Sequence, residues 1–341
     1  MRRHFAYPAL MALLLATALA GCQQEPLPES GDAIRFSVSS PSVSVETKAD
    51  HTYSLPADAL IVNENSISVW GSYKEGTWKS LFSDQTVKCN TGTDPISWTY
   101  SNVKYWSHDA TAYLFRAAFQ AGTSTTYTLD SENNTDKLTV VATGGTDLMV
   151  ASNQFNAKPS DNKVPLAFQH ACAAVRFFFK DESRGSSVDA NYYIKSIELK
   201  NIYTSGTLNY TDVITWDVTG ARTVPAYTWT ASGSDERWSV PAAYDDDSTT
   251  KVASTDWLYV IPQNLNVDTN TEAALVVTFD VAGTTPTQTE TVTLNLETYK
   301  GSDVIWNPGK VYAYFISLDA IEFTIESATW QPGGSFNYTG K

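Results

Sequence analysis

"VPLAFQHACAAVRFFFK" (Val164–Lys180) is the stretch that decides the fold class. From Ala173 to Phe179 it is apolar at every position but Arg176. A short aromatic run of this kind reads as a strand covered on both faces. "TAYLFRAAF" (Thr111–Phe119) reads the same way. Outward from these two, the dominant period is two. "AIRFSVS" (Ala33–Ser39) places Ile34, Phe36 and Val38 on one face, and "SISVWGSY" (Ser66–Tyr73) places Ile67 and Val69 on one side. "IKSIELKNI", "TEAALVVTFDV", "TETVTLNLE", "VYAYFISL" and "IEFTIESATW" follow. Turn clusters such as "NTGTDP", "DSENNTD", "KPSDNK" and "NPGK" separate them. No segment carries a helical stripe over three turns. Many short strands with turns at this spacing predict an all-β protein built of sandwiches.

A polar stretch, "DESRGSSVDAN" (Asp181–Asn191), divides the strands into two sets. The expected domains are residues 34–182 and 190–341, each with its own core. In front of them stand a signal peptide, 1–21, and a tether, 22–33. Arg2 and Arg3 precede an apolar run, Ala9–Ala20, that falls short of the roughly 20 residues a bilayer span needs. Leu19-Ala20-Gly21-Cys22 resembles the lipobox of bacterial lipoproteins, in which the cysteine is acylated and becomes the mature N-terminus. An ordinary secretory signal with an incidental cysteine is the alternative. Each buried CH₂ of a lipid chain contributes about 0.8 kcal/mol, so several chains on Cys22 would anchor the protein.

The net charge of −14 argues against nucleic acid, whose phosphates need a basic face. The two remaining cysteines, Cys89 and Cys172, read as buried thiols, with a disulfide as the alternative in an exported chain. His170 and Cys172, two apart on a strand, do not form a metal pattern. One of the sets His170/Cys172 and Ala171/Ala173 is expected to face inward. Of the histidines downstream of the signal, His51, His108 and His170, none lies in a recognisable catalytic motif; His108 reads as a surface residue in a turn. Asp245-Asp246-Asp247 lacks the alternating ligands of a calcium loop and reads as a solvated turn. Nothing supports an enzyme, and no cofactor or metal is expected. Most of the ten tryptophans lie in strand-like stretches, where core packing is the default.

The ordered set "TDLMVAS" (Thr146–Ser152), "VPLAFQHACAAVRFFF", "YIKSIELKNI", "WLYVIPQNL", "VIWNPGKVYAYFISL" and "IEFTIESATW" resembles the fimbrillin-like lipoproteins of Bacteroidetes, subunits of type V pili. Asp147, Leu148, Met149 and Ala151 match one family element; Pro308, Gly309 and Tyr312 match another. The resemblance implies two transthyretin-like β-sandwich domains and an outer-membrane lipoprotein that joins a fimbrium. It also implies assembly by strand exchange with other pilus subunits, as a homo- or hetero-polymer, serving adhesion to a glycan or host protein. A protease would remove the N-terminal segment, including the strand of Ile34, Phe36 and Val38. The groove so opened would accept a donor strand. The candidate donor is the C-terminal strand of Ile321, Phe323 and Ile325, continuing through Ala328 and Trp330 after a one-residue slip of the bulge type. The family pattern has arginine before the cut. This chain has Lys48-Ala49 in "ETKAD", so either a protease of other specificity acts or the subunit stays uncut. The competing reading is a monomeric glycan-binding outer-membrane lipoprotein that uses exposed tryptophans.

Overall fold

The computed structural model describes residues 32–45, 59–122, 124–181, 192–218, 220–231, 237–241, 255–266, 271–283, 287–319 and 321–331, with backbone alone for 42–45, 326 and 328–331. The first strands are β1 (Arg35–Ser39), β2 (Ser42–Val45), β3 (Ser66–Glu75), β4 (Thr77–Asn90), β5 (Ser97–Thr99), β6 (Ala112–Phe119), β7 (Thr125–Asp130), β8 (Thr135–Thr143), β9 (Met149–Phe155), β10 (Lys163–Ala167), β11 (Gln169–His170) and β12 (Ala173–Lys180). Then come β13 (Tyr192–Lys200), β14 (Ser205–Tyr210), β15 (Ile214–Asp217), β16 (Tyr227–Thr230), β17 (Trp238–Ser239), β18 (Leu258–Val260), β19 (Gln263–Asn264), β20 (Ala274–Val281), β21 (Gln288–Asn295), β22 (Thr298–Tyr299), β23 (Ser302–Asp303), β24 (Ile305–Trp306), β25 (Lys310–Ser317) and β26 (Glu322–Gln331). The protein is all-β, as its alternation predicts.

The N-terminal half is built in three layers. Its middle is the sheet β11-β9-β6-β3-β4-β5. On one face lies the parallel pair β1-β10, and the core between them holds Ile34, Phe36, Val164 and Leu166 against Ile67, Val69, Phe82 and Phe115. On the other face lies the sheet β15-β14-β8-β7, with Leu138, Val140, Leu208 and Tyr210 packed against Trp70, Ala118 and Val150. β6 is therefore buried along almost its whole length, which is why "TAYLFRAAF" shows no polar face.

The C-terminal half packs the sheet β18-β12-β25-β26-β2 on the sheet of β16, β17, β13, β20 and β21. β12 and β25 run parallel at the centre, from Ala174↔Val311 to Lys180↔Ser317. Ala173, Val175, Phe177 and Phe179 face the main core. Ala174 and Phe178 face the other way, under Trp257. Both faces of "AAVRFFFK" are thus covered.

Two features differ from the expected division into separate halves. β12, placed by sequence at the end of the first domain, pairs with β18 and β25 and contributes to the C-terminal core. Its aromatic residues find their apolar partners there. Further, β14 pairs with β8 through six residues, Ser205↔Thr143 to Tyr210↔Leu138, so one sheet is shared by strands from both sides of 182–191. That polar stretch itself lies outside the described residues, as do Asp245–Asp247 and His51.

The Pro308-Gly309 element is a turn into β25. Gly309 has φ +68°, a conformation glycine adopts without steric cost, and its N–H donates to the Cys172 carbonyl at 2.9 Å. The Tyr312 hydroxyl donates to the Ile305 carbonyl at 2.8 Å and accepts from the Asn307 N–H at 2.9 Å. Cys89 and Cys172 are both free and buried. His170, Ala171, Cys172 and Ala173 are all buried, so neither alternating set faces solvent. His170 instead pairs with buried Asp147 at 2.6 Å.

Candidate assembly groove

β1 lies in a groove of the N-terminal half and, among the described residues, pairs with β10 alone, in register from Arg35↔Lys163 to Ser39↔Ala167. Its burial follows its alternation: Ile34 and Phe36 are buried, Val38 is half-buried, and Arg35 and Ser37 are exposed. The Phe36 ring sits 5.6 Å from both Phe82 and Tyr100, whose own centroids are 5.5 Å apart, so three rings form one cluster. Such tilted and edge-on pairs suit the ring quadrupoles.

Backbone and side-chain hydrogen bonds close the groove around the strand. Ile34 N–H donates to the Lys104 carbonyl at 2.9 Å, and the Tyr100 hydroxyl donates to the Ile34 carbonyl at 2.8 Å. Arg35 N–H donates to Asn162, and Phe168 N–H to Ser39. Just ahead of the strand, Asp32 receives the Lys158 ammonium and lies 3.0 Å from the exposed His108 ring. Lys158 foremost, with His108, holds the Asp32 carboxyl below its ordinary range. His108 is thus a surface residue with a definite partner.

Only Ser40 and Pro41 separate β1 from β2, yet β2 belongs to the other half. It runs antiparallel along β26, from Ser42↔Gln331 to Val45↔Ala328. The N-terminal segment therefore crosses the molecule, filling the groove of one half and covering the outer edge of β26 in the other. Nothing in "SVSV" announces this; the strand is short and its partner lies at the far end of the chain.

β26 itself pairs with β25 without interruption, from Ser317↔Glu322 to Lys310↔Thr329. The one-residue slip expected before Ala328 and Trp330 does not occur, because β25 supplies a matching run of unbroken strand. Phe323 and Ile325 are half-buried against the C-terminal core, with Phe323 5.8 Å from Tyr314 and 5.9 Å from Tyr299. Ile321 precedes the strand and is exposed. The side chains of Ala328 and Trp330 lie outside the described residues, as do Cys22, Lys48 and Ala49 altogether.

No tryptophan among the described side chains is fully exposed. Among the described residues Trp70, Trp98, Trp106 and Trp306 are buried, and the other described tryptophans are half-buried. Among the described residues no cluster of side chains could hold a metal ion, and no helix is long and apolar enough to cross a membrane.

Comparison with known proteins identifies a family and a fold. A family model described as Fimbrillin-like matches residues 47–332. A solved fimbrial protein from Bacteroides vulgatus ATCC 8482 is similar at 17% identity and a TM-score of 0.53, covering 89% of this chain and 99% of that one. A candidate cell adhesion protein from Bacteroides uniformis ATCC 8492 is similar at 15% identity and a TM-score of 0.51, covering 88% and 98%. These likenesses show a shared fold. Among curated proteins none matches the chain.

Proposed function

Because the chain belongs to the fimbrillin-like family, we propose that it is a fimbrial subunit, exported as a lipoprotein through Cys22 and assembled at the cell surface by strand exchange. Its role is structural and adhesive, not enzymatic. In the precursor β1 fills the groove, so the apolar floor stays covered where it would otherwise aggregate. A protease cutting after Lys48 then releases Cys22, β1 and β2 together. The groove becomes an acceptor, and the edge of β26 becomes free. A donor strand from a neighbouring subunit replaces β1 by main-chain pairing and by filling the pockets of Ile34, Phe36 and Val38.

The observation that carries this reading is the path of residues 32–45. One continuous segment fills the core of one half and covers the donor candidate β26 in the other. A single cut beyond Val45 would prepare both partners of an exchange.

Mass spectrometry of subunits in purified surface filaments tests the proposal through their N-termini. A start at Ala49 is the expected result. Lipidated Cys22 retained in filament subunits would overturn the cleavage step.

A further inference from the structure

Among the described side chains, Trp78 is the one tryptophan that takes no part in a hydrophobic core. It stands half-buried on β4, opposite Lys74 and near the tip of the β3–β4 hairpin. Its indole N–H donates to Asn134 Oδ1 at 3.1 Å, and the Lys74 ammonium donates to the same oxygen at 2.9 Å. Asn134 belongs to the turn between β7 and β8. The ring is therefore fixed by its edge, while the core gains nothing from its faces.

Trp78 forms one wall of an open cleft of about 500 Å³ between β4 and β7. The floor is Trp70 and Tyr127, whose hydroxyl donates to the buried Ser72 Oγ at 3.2 Å. Ser80 and Asp84, both exposed, stand on the β4 side.

The opposite wall is a strand edge. β7 is the last strand of its sheet and pairs with β8. Val141 N–H donates to the Ser124 carbonyl at 3.0 Å, which sets the alternation along that pair. Thr125, Tyr127 and Leu129 accordingly turn their main-chain N–H and C=O groups away from β8. All three residues line the cleft. An aromatic face thus stands across from a row of donors and acceptors.

A pyranose ring carries the complement of both walls. Its C–H face is apolar and stacks on an indole; its hydroxyls donate and accept. The volume falls within the range of about 300–1,000 Å³ usual for small-ligand sites. Charge narrows the class. Lys79 on the rim is held by Glu75 at 2.6 Å, so Asp84 leaves the cleft acidic in a chain of net charge −14, which repels anionic sugars. An extended peptide added to β7 fits less well. Beside Leu129 it would run into the bridge from Lys74 and Trp78 to Asn134, which closes the cleft at the hairpin tip.

We propose that this cleft binds a short neutral oligosaccharide, one ring stacked on Trp78 and its hydroxyls paired with Asp84, Ser80 and the free edge of β7. None of β1, β2 or β26 lines the cleft, so the inference stands apart from strand exchange.

The test is isothermal titration calorimetry on the full chain carrying Cys22→Ala. The probes are cellobiose, lactose, maltotriose, mannobiose and N-acetyllactosamine, with sialyllactose as the acidic comparison. At least one neutral probe is expected to bind with a Kd of about 1 mM or tighter. Trp78→Ala is expected to weaken it by about tenfold or more, Trp78→Tyr less, and Asp84→Asn by about threefold. Trp78 lies outside the cores, so the unfolding midpoint of Trp78→Ala should hold. Ser80→Trp, at an exposed position, fills the cleft without touching Trp78 and should abolish binding. No neutral probe bound at about 10 mM overturns the inference. So does tighter binding of sialyllactose, or sugar binding that Trp78→Ala, Asp84→Asn and Ser80→Trp all leave unchanged. Saturable binding of the peptide Thr-Val-Thr-Val-Thr in place of any sugar would assign the edge of β7 to strand addition and overturn it as well.

Discussion

Replacing Phe36 by alanine tests how firmly β1 is held. Its ring is buried and meets both Phe82 and Tyr100 at 5.6 Å. Truncating a core Phe to Ala costs about 3–5 kcal/mol, through lost transfer free energy plus the cavity left behind. Among the described residues β1 pairs on one side only, so the site can partly collapse, and the low end, about 3 kcal/mol, is the appropriate figure. Burial of Ile34 and Phe36 at about 1.5–3 kcal/mol each gives an upper-bound docking term of about 3–6 kcal/mol before the half-buried Val38 is counted. Phe36→Ala thus removes half or more of that term. Local opening of β1 should become about 150-fold more frequent. Hydrogen exchange followed by mass spectrometry reads this directly. Amides of residues 34–39 should exchange faster by that factor, while those of β6 and β25 hold nearly constant. Val38→Ala, at a half-buried position, should give a smaller effect. Exchange at 34–39 within tenfold of wild type would refute the argument that the three-ring cluster holds the strand. An equal acceleration in β25 would refute its local character.

Three further outcomes follow from the buried and paired groups. Cys89 and Cys172 are both raised by burial, Cys172 to about 12, so a Cys22→Ala chain should show almost no thiol reaction at neutral pH when folded and two thiols when denatured. A count of none in denaturant would indicate a disulfide. The Asp32 carboxyl is depressed in the folded state, so its contribution is fully present above its ordinary pKa of about 4 and is lost as pH falls through the depressed value. Protease susceptibility of residues 32–45 should therefore rise below about pH 4 in the wild type, and Asp32→Asn should flatten that dependence. Arg116 is buried and bridges Asp136 and Asp212 at 2.6 Å each. Arg116→Met leaves the Asp136 carboxylate buried without its cation and should cost about 3–5 kcal/mol in urea unfolding, most of it recovered in Arg116→Met/Asp136→Leu.

Much of the fold was legible because burial in a sheet has a simple period. Alternation in "AIRFSVS" marked Ile34, Phe36 and Val38 as one face, of which Ile34 and Phe36 are buried and Val38 half-buried, and the mostly apolar runs at 111–119 and 173–179 marked strands covered twice. Pairing partners were not legible, because they are set by contacts between residues distant in sequence. The parallel pairing of β12 with β25, which moves Ala173–Lys180 into the C-terminal core, leaves no local trace. β2 is four residues of Ser and Val, and only its place beside β26 gives it meaning. Arg116 in an apolar run gave a signal that could have been used. A guanidinium there requires buried acceptors, and Asp136 and Asp212 supply them.

The shared sheet constrains how any exchange can proceed. β8 and β14 pair along six residues across the expected boundary. The Trp216 indole N–H donates to the Ala171 carbonyl at 2.8 Å, and Arg116 reaches Asp212 in the β14–β15 turn. Behind them Leu138 and Val140 pack with Leu208 and Tyr210 in one core. Parting the two halves would break this sheet and expose that core, at a cost comparable with unfolding part of the molecule. Peeling β1 and β2 breaks one strand pair in each half, and among the described side chains of the segment the buried apolar ones are Ile34 and Phe36. The cheaper route is local. The strand exchange proposed for this chain should therefore proceed by release of its terminal strands, with no hinge between halves. Amides of β8 and β14 should keep their protection through cutting and assembly, and a loss of protection there would contradict the local route.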